Sequence, residues 1–186
     1  MGSMTQMDSW TQALATWERG DPDGAASLLE NLLATSPETI QARHLYGVIM
    51  VDLGDYDEAV LQLGMACAGD PDNDEAWSNL GNAQRLAGRP AEAEGSLRSG
   101  LQRNPDNPRL HFNLGLALEA RQRPLEAEAA FERACDLDRD DQAAWLHLGR
   151  LRYARADHAA AVPALLRAAA LEGEDALAAK RLAGFA

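Results

Sequence analysis

Residues 74–107 read DEAWSNLGNAQRLAGRPAEAEGSLRSGLQRNPDN, and the landmarks of this stretch return along the chain. Two series of small residues recur at intervals of 34 residues: Gly47, Gly81, Gly115 and Gly149, and Ala59, Ala93, Ala127 and Ala161. A fixed period of this length is typical of proteins that stack one supersecondary unit on the next. The sequence therefore predicts an array of similar units.

Each unit is predicted to be a helix, a turn and a second helix. The segments around the four glycines read ARHLYGVIM, AWSNLGNAQ, RLHFNLGLAL and AWLHLGRLR, and each precedes a short break and a second segment. The residues that recur most are strong helix formers, whereas aromatic residues make up only 5% of the chain. The fold class is therefore all-α.

Packing between the helices is predicted from the small residues. Gly81 has no Cβ, so a second helix can approach closely, and Ala93 supplies a complementary small surface. No single helical pair can bury its large apolar side chains alone, so the units must stack. These core residues are Leu80, Leu114, Leu148, Leu97, Phe131 and Leu165.

The repeated residues resemble the tetratricopeptide repeat pattern: Trp77, Leu80, Gly81, Gly88, Ala93, Leu97 and Pro105. The resemblance implies a right-handed superhelical α-solenoid of about five repeats. The expected segments are a vector-derived or disordered start at 1–5, a divergent first repeat at 6–39, further repeats at 40–73, 74–107, 108–141 and 142–175, and a C-terminal capping helix at 176–186. Gly100, Arg139 and Gly173 depart from the pattern.

Two local features of the sequence lead to further predictions. Asp21-Pro22 and Ser36-Pro37 each read as an N-cap residue followed by the first helical residue. In the first repeat, a one-residue shift of the first helix is expected to bury Trp10 and Trp17; alternatively, both tryptophans line the groove.

Charge and hydropathy exclude several classes of protein. Seventeen basic residues face 29 acidic ones, and the net charge of -12 repels nucleic acid. No apolar run reaches membrane-spanning length, and the N-terminus has no secretory signal pattern, so the expected location is the cytoplasm. Met1-Gly2-Ser3-Met4 resembles a vector-derived start, which leaves open a signal removed ahead of it.

The residues that usually carry catalysis are not arranged for it. Cys67 and Cys135 are expected to be free, buried thiols, and His111 is expected to be a packed structural residue. The histidines do not have the spacing of a zinc site, and the glycines do not form a phosphate-binding loop. The acidic turns are predicted to be helix caps and not calcium loops. We expect no enzyme activity, no metal and no cofactor.

The tetratricopeptide resemblance implies that a partner binds in the concave groove lined by the first helix of each repeat. Carried over position by position, the groove residues are His44, Val48, Asn79, Asn82, Arg85, Arg109, Phe112, Asn113, His147, Arg150 and Tyr153. Asn79 and Asn113 resemble two rungs of an asparagine ladder that binds a peptide backbone; alternatively, asparagine is simply tolerated on a solvated face. The arginines suit an acidic peptide, or else pair with acidic neighbours such as Glu119.

The function expected from these features is a non-catalytic scaffold that binds a peptide segment of a partner protein. One alternative is an accessory module of a larger enzyme, such as a bacterial glycosyltransferase or sulfotransferase. Another is a self-associating assembly scaffold, so the expected oligomeric state is a monomer or a weak homo-oligomer.

Overall fold

The computed structural model describes residues 6–172, which form ten α-helices and no β-strand. The helices are α1 (Gln6–Glu18), α2 (Pro22–Thr35), α3 (Ile40–Leu53), α4 (Tyr56–Gly69), α5 (Asp74–Leu86), α6 (Pro90–Arg103), α7 (Pro108–Ala120), α8 (Pro124–Leu137), α9 (Gln142–Ala154) and α10 (His158–Glu172). The start expected at 1–5 and the capping helix expected at 176–186 lie outside the described residues.

Short polar side chains cap the starts of six helices. Each accepts a hydrogen bond from the backbone N–H three residues further on: Asp21, Asp55, Asn73, Asn107, Asp141 and Asp157. Such a cap satisfies one of the N–H groups that the first helical turn leaves without a partner. The turns rich in Asp and Asn therefore act as helix starts, as the sequence predicts.

One predicted helix start is wrong. Ser36 is the C-cap of α2, where its N–H donates to Leu32 O at 2.8 Å, and α3 begins later with Thr39 as its N-cap. Pro37 therefore lies in the turn between the repeats. Asp21-Pro22 does start a helix, because Asp21 accepts a hydrogen bond from Gly24 N and Pro22 is the first helical residue.

The contacts divide the chain into two compact units, residues 1–96 (unit 1) and residues 97–186 (unit 2). In unit 1, helices α1 to α5 each pack on the next, and α3 also contacts α1 and α5. In unit 2, α7 packs on α8, α8 on α9 and α9 on α10. Both units therefore consist of antiparallel hairpins packed side by side.

The same glycine contact recurs in three of the hairpins. A Cβ added to Gly47 would lie 2.6 Å from Leu63 Cγ, and one added to Gly149 would lie 2.6 Å from Leu165 Cγ. The third case is Gly115, where the added Cβ would lie 2.6 Å from Cε1 of the fully buried Phe131. The predicted close approach at the glycine series is confirmed at these positions.

In the first repeat, the expected one-residue shift of α1 does not occur. Ala13, which lies 34 residues before Gly47, is completely buried, so α1 keeps the register of the later repeats. Trp10 and Trp17 are partly buried against the core of unit 1, and Trp17 Nε1 donates to Asp52 Oδ2 at 2.8 Å. A small residue is needed where the hairpin closes, and alanine meets that need at position 13.

In α3, α5, α7 and α9, a side chain near the start of the helix forms a hydrogen bond to the turn that precedes it. Trp77 Nε1 donates to Pro71 O at 2.9 Å, and Trp145 Nε1 donates to Arg139 O at 3.0 Å. His111 Nε2 bonds to Pro105 O at 2.8 Å, and a carbonyl only accepts, so this nitrogen carries the proton. Arg43 Nε makes the equivalent bond to Pro37 O. His111 is therefore the structural residue that the sequence predicted.

We expect His111→Ala to lower the free energy of unfolding by about 1 kcal/mol, the usual net contribution of one hydrogen bond. His111→Trp should retain stability close to the wild type, because tryptophan makes the same bond in two other repeats. Urea unfolding followed by circular dichroism tests both variants. A tryptophan variant as unstable as the alanine variant would contradict the role of the turn bond.

No helix within residues 6–172 combines the length and the apolar character that a membrane crossing requires.

Candidate functional site

The candidate residues of unit 1 lie on α3 and α5, the first helices of adjacent hairpins. All are partly exposed: His44, Val48, Asn79, Asn82 and Arg85. Asn79 Nδ2 donates to His44 Nε2 at 2.9 Å, so this pair links α5 to α3. Arg85 Nη2 donates to Asn82 Oδ1 at 2.9 Å, while Arg85 Nε is buried without a hydrogen-bond partner among the described residues.

In unit 2 the candidate residues lie on α7 and α9. Arg109, Arg150 and Tyr153 are exposed, whereas Phe112 and His147 are partly buried. The first helices of this unit therefore present a mixed surface of aromatic and cationic side chains.

An aromatic cluster holds the centre of that surface in place. The ring of His147 stacks on Phe131 with a centroid distance of 5.1 Å, and Phe112 lies 5.7 Å from each of these two rings. His147 Nδ1 also lies 3.0 Å from Glu119 Oε2. His147 is thus fixed by two kinds of contact, and its orientation does not depend on a partner.

A cleft of about 280 Å³ opens beside this cluster. Its lining consists of Glu119, Arg150, Leu151, Tyr153, Ala154 and Leu165. Arg150 is exposed and forms no ion pair with any residue that the structure describes, and Tyr153 is 39% exposed. The cleft therefore combines an apolar floor, the ring of Tyr153, whose edge-on contact with the His158 ring has a centroid distance of 4.9 Å, and the guanidinium of Arg150, which is unpaired among the described residues.

Sequence reasoning selected only two of these lining residues, Arg150 and Tyr153. The repeat register contained a signal for a third, because Glu119 lies midway in the series Arg85, Glu119 and Tyr153, whose members are 34 residues apart. Leu165 was predicted as a core residue, and it is 5% exposed while also reaching the cleft.

The two asparagines do not have equal surroundings. Asn79 is partly exposed and already bonded to His44, whereas Asn113 is only 9% exposed. Asn113 therefore does not lie on a solvated helix face. A peptide that used Asn79 would have to share its amide with His44 or displace that bond.

Cys67 and Cys135 are both free, buried thiols. Burial raises the pKa of the Cys67 thiol to about 12 and that of the Cys135 thiol to about 12, so both are protonated at neutral pH. Among the described residues, no three His, Cys, Asp or Glu side chains converge in a way that could hold a metal ion.

Models of the tetratricopeptide repeat match residues 16–80, 79–144 and 114–179. The chain belongs to the tetratricopeptide repeat family. The repeats that the family models recognise thus include the helices that carry the candidate surfaces of both units.

Solved structures of similar fold cover almost the whole of this tetratricopeptide repeat protein. MamA 41-end from Desulfovibrio magneticus RS-1 is 22% identical, covers 90% of this chain with 94% of its own, and has a TM-score of 0.79. TTC0263, a thermophilic protein of this type in Thermus thermophilus, is 20% identical over 97% and 98% of the two chains, with a TM-score of 0.73.

A third similar structure is YrrB, described as a tetratricopeptide repeat protein with an unusual peptide-binding site. It is 18% identical, covers 95% of this chain with 92% of its own, and has a TM-score of 0.72. At such identities the likeness to all three structures concerns the fold alone. No curated protein sequence matches this tetratricopeptide repeat protein.

Proposed function

We propose that the chain is a non-catalytic interaction scaffold that binds a peptide segment of a partner protein on the first helices of its hairpins. The observation that carries this proposal is the cleft of about 280 Å³ in unit 2, whose Arg150 and Tyr153 are exposed and whose floor is apolar. Family membership supports the same function, because arrays of this kind present extended surfaces to partners.

The chemistry of the cleft favours a peptide with a carboxylate next to an apolar side chain. Arg150 can form a bidentate bond to a carboxylate, and the guanidinium remains charged at all physiological pH values. Glu119 also lines the cleft, but it lies 3.0 Å from His147 Nδ1, which engages one of its oxygens. Leu165 and the ring of Tyr153 then supply the apolar contact.

An array of immobilised peptides, graded in net charge and in apolar content, tests this function. The intact protein should bind peptides that combine an acidic and an apolar residue, and Arg150→Glu should weaken that binding by about tenfold, or about 1.4 kcal/mol. Tyr153→Ala should weaken binding to acidic and neutral peptides alike, because it removes apolar contact area.

The matched control is Arg133→Glu, which changes the charge of unit 2 by the same amount. Arg133 is exposed, pairs with Asp106 and does not line the cleft. Its substitution should leave the peptide pattern unchanged. Binding lost equally in the Arg150 and Arg133 variants would show a general charge effect and contradict the site, and so would an intact protein that binds no peptide on the array.

A further inference from the structure

A carboxylate lines the same cleft as the guanidinium of Arg150. Glu119 lies near the end of α7, whereas Arg150 lies near the end of α9, and both line the cleft of about 280 Å³ in unit 2. The side chain of Glu119 is 30% exposed, so solvent reaches it. The two side chains do not form an ion pair with each other. The cleft thus contains two opposite charges that remain apart in the folded chain.

One oxygen of Glu119 is engaged within the chain and the other is not. Glu119 Oε2 lies 3.0 Å from Nδ1 of His147, whose ring stacks on Phe131. Because a carboxylate only accepts hydrogen bonds, this histidine nitrogen carries the proton. Glu119 Oε1 has neither a hydrogen-bond partner nor an ion-pair partner among the described residues. His147 therefore orients the carboxylate and leaves one of its oxygens available to a ligand.

The corresponding positions of the other repeats show that the fold does not require these two charges. At the position of Arg150, the other repeats have an apolar residue or asparagine: Leu14, Val48, Asn82 and Leu116. At the position of Glu119, they have Trp17, Val51, Arg85 and Tyr153. Neither the arginine at the first position nor the glutamate at the second is therefore needed for the repeat to pack.

We propose that the cleft of unit 2 selects a peptide segment that carries both charges, with a carboxylate for Arg150 and a lysine or arginine for Glu119. An apolar side chain of the same segment contacts Leu165 and the ring of Tyr153. Glu119 then determines specificity, because it favours a basic side chain and repels a second acidic one. This inference rests on the proposed function and adds the charge that the peptide carries at its second polar position.

The overall charge of the chain does not explain such selectivity. A net charge of -12 attracts a basic peptide to any part of the surface. That long-range attraction is screened by salt, and it changes little when one acidic residue is replaced. A direct contact with Glu119 depends on this one residue. The two effects are therefore separated by comparing single substitutions inside and outside the cleft.

Three labelled peptides that differ at one position test the selectivity. All contain a glutamate and a leucine, and the variable position is lysine, glutamine or glutamate. Each peptide is made in both sequence orders, so that either direction of binding is tested. Binding to the full chain is followed by fluorescence anisotropy at physiological ionic strength. The lysine peptide should bind about threefold more tightly than the glutamine peptide, and the glutamate peptide should bind most weakly.

Glu119→Gln should remove the difference between the lysine and glutamine peptides and leave binding of the glutamine peptide unchanged. Glutamine keeps an oxygen that accepts a hydrogen bond from His147, so the aromatic cluster stays in place. The matched control is Glu126→Gln, which removes the same charge from unit 2. Glu126 is exposed, pairs with Arg123 and does not line the cleft. Its substitution should leave the preference for the lysine peptide intact.

The outcomes distinguish this inference from the proposed function. If the glutamine peptide binds but the lysine peptide gains nothing, Glu119 does not determine specificity and the proposed function stands. The same holds if the preference for lysine survives Glu119→Gln, or if Glu126→Gln removes it equally. Binding of none of the three peptides would contradict the proposed function, and this inference with it.

Discussion

Gly47→Leu is expected to lower the free energy of unfolding by about 3 kcal/mol, at the upper end of the usual cost of overpacking a core. A Cβ at this position would lie 2.6 Å from Leu63 Cγ and 3.2 Å from the backbone nitrogen of Leu63. Leu63 is fully buried, so its side chain has no free space to enter, and its backbone can move only if α4 moves. Urea unfolding followed by far-ultraviolet circular dichroism measures the loss.

Gly64→Ala is the matched control for this prediction. Gly64 also lies in the interior of a helix of unit 1, but an added Cβ meets no described atom within 4 Å. Alanine is favoured over glycine within a helix by roughly 0.5–1 kcal/mol, so this variant should be more stable than the wild type.

Gly47→Ala extends the series in case the leucine variant does not fold. It should fall between the leucine variant and the wild type, because the clash with Leu63 remains while the larger side chain is absent. If Gly47→Ala and Gly64→Ala change stability by the same amount and in the same direction, close packing at the glycine series does not limit stability.

The period of 34 residues was sufficient to predict the helical hairpins, because every repeat faces the same packing problem. A helix needs a small residue where its neighbour crosses, and that need places glycine or alanine at one position in each repeat. Ala13 shows how strong this constraint is. It fixes the register of α1 even though Trp10 and Trp17 made a shifted register look favourable from apolar pattern alone.

The helix start at Ser36-Pro37 could not be decided from local sequence. Proline fits both the first residue of a helix and a turn, because neither position needs its missing N–H. At Pro22, the carboxylate of Asp21 caps the helix, whereas the N–H of Ser36 closes the end of α2. Which of the two occurs depends on where the preceding helix ends, and that is a property of packing.

The sequence placed candidate residues on the first helices, but it could not tell which of them keep free hydrogen-bonding groups. That depends on neighbours distant in sequence. Asn79 bonds to His44, which lies 35 positions earlier, and His147 lies beside Glu119. Arg150 also lies on a first helix, α9, and it forms no ion pair or hydrogen bond with another side chain of the described residues. The proposed function therefore rests on Arg150 and Tyr153 in the cleft of unit 2.

Phe131→Ala should lower the free energy of unfolding by about 3–5 kcal/mol, the usual cost of removing a buried aromatic ring. Phe131 is fully buried, lies against Gly115 and stacks with His147 at 5.1 Å. The cavity would open where α7, α8 and α9 meet, and the glycine offers no side chain to fill it. Peptide binding at the proposed site of unit 2 should weaken as well, because His147 loses the ring that orients it.

Two further variants, Phe131→Leu and Leu125→Ala, serve as controls. They show whether stability is lost because the buried ring is removed or because apolar surface of any kind is removed. Leucine occupies the equivalent position in the other four repeats, at Leu29, Leu63, Leu97 and Leu165, so Phe131→Leu should retain much of the stability. Leu125 is 62% exposed, and its truncation should change stability by less than about 0.5 kcal/mol. Should Phe131→Ala prove as mild as Leu125→Ala in urea unfolding, the aromatic cluster would not be the centre of unit 2. Its stability would then have to come from the alanine and leucine contacts that all the repeats share.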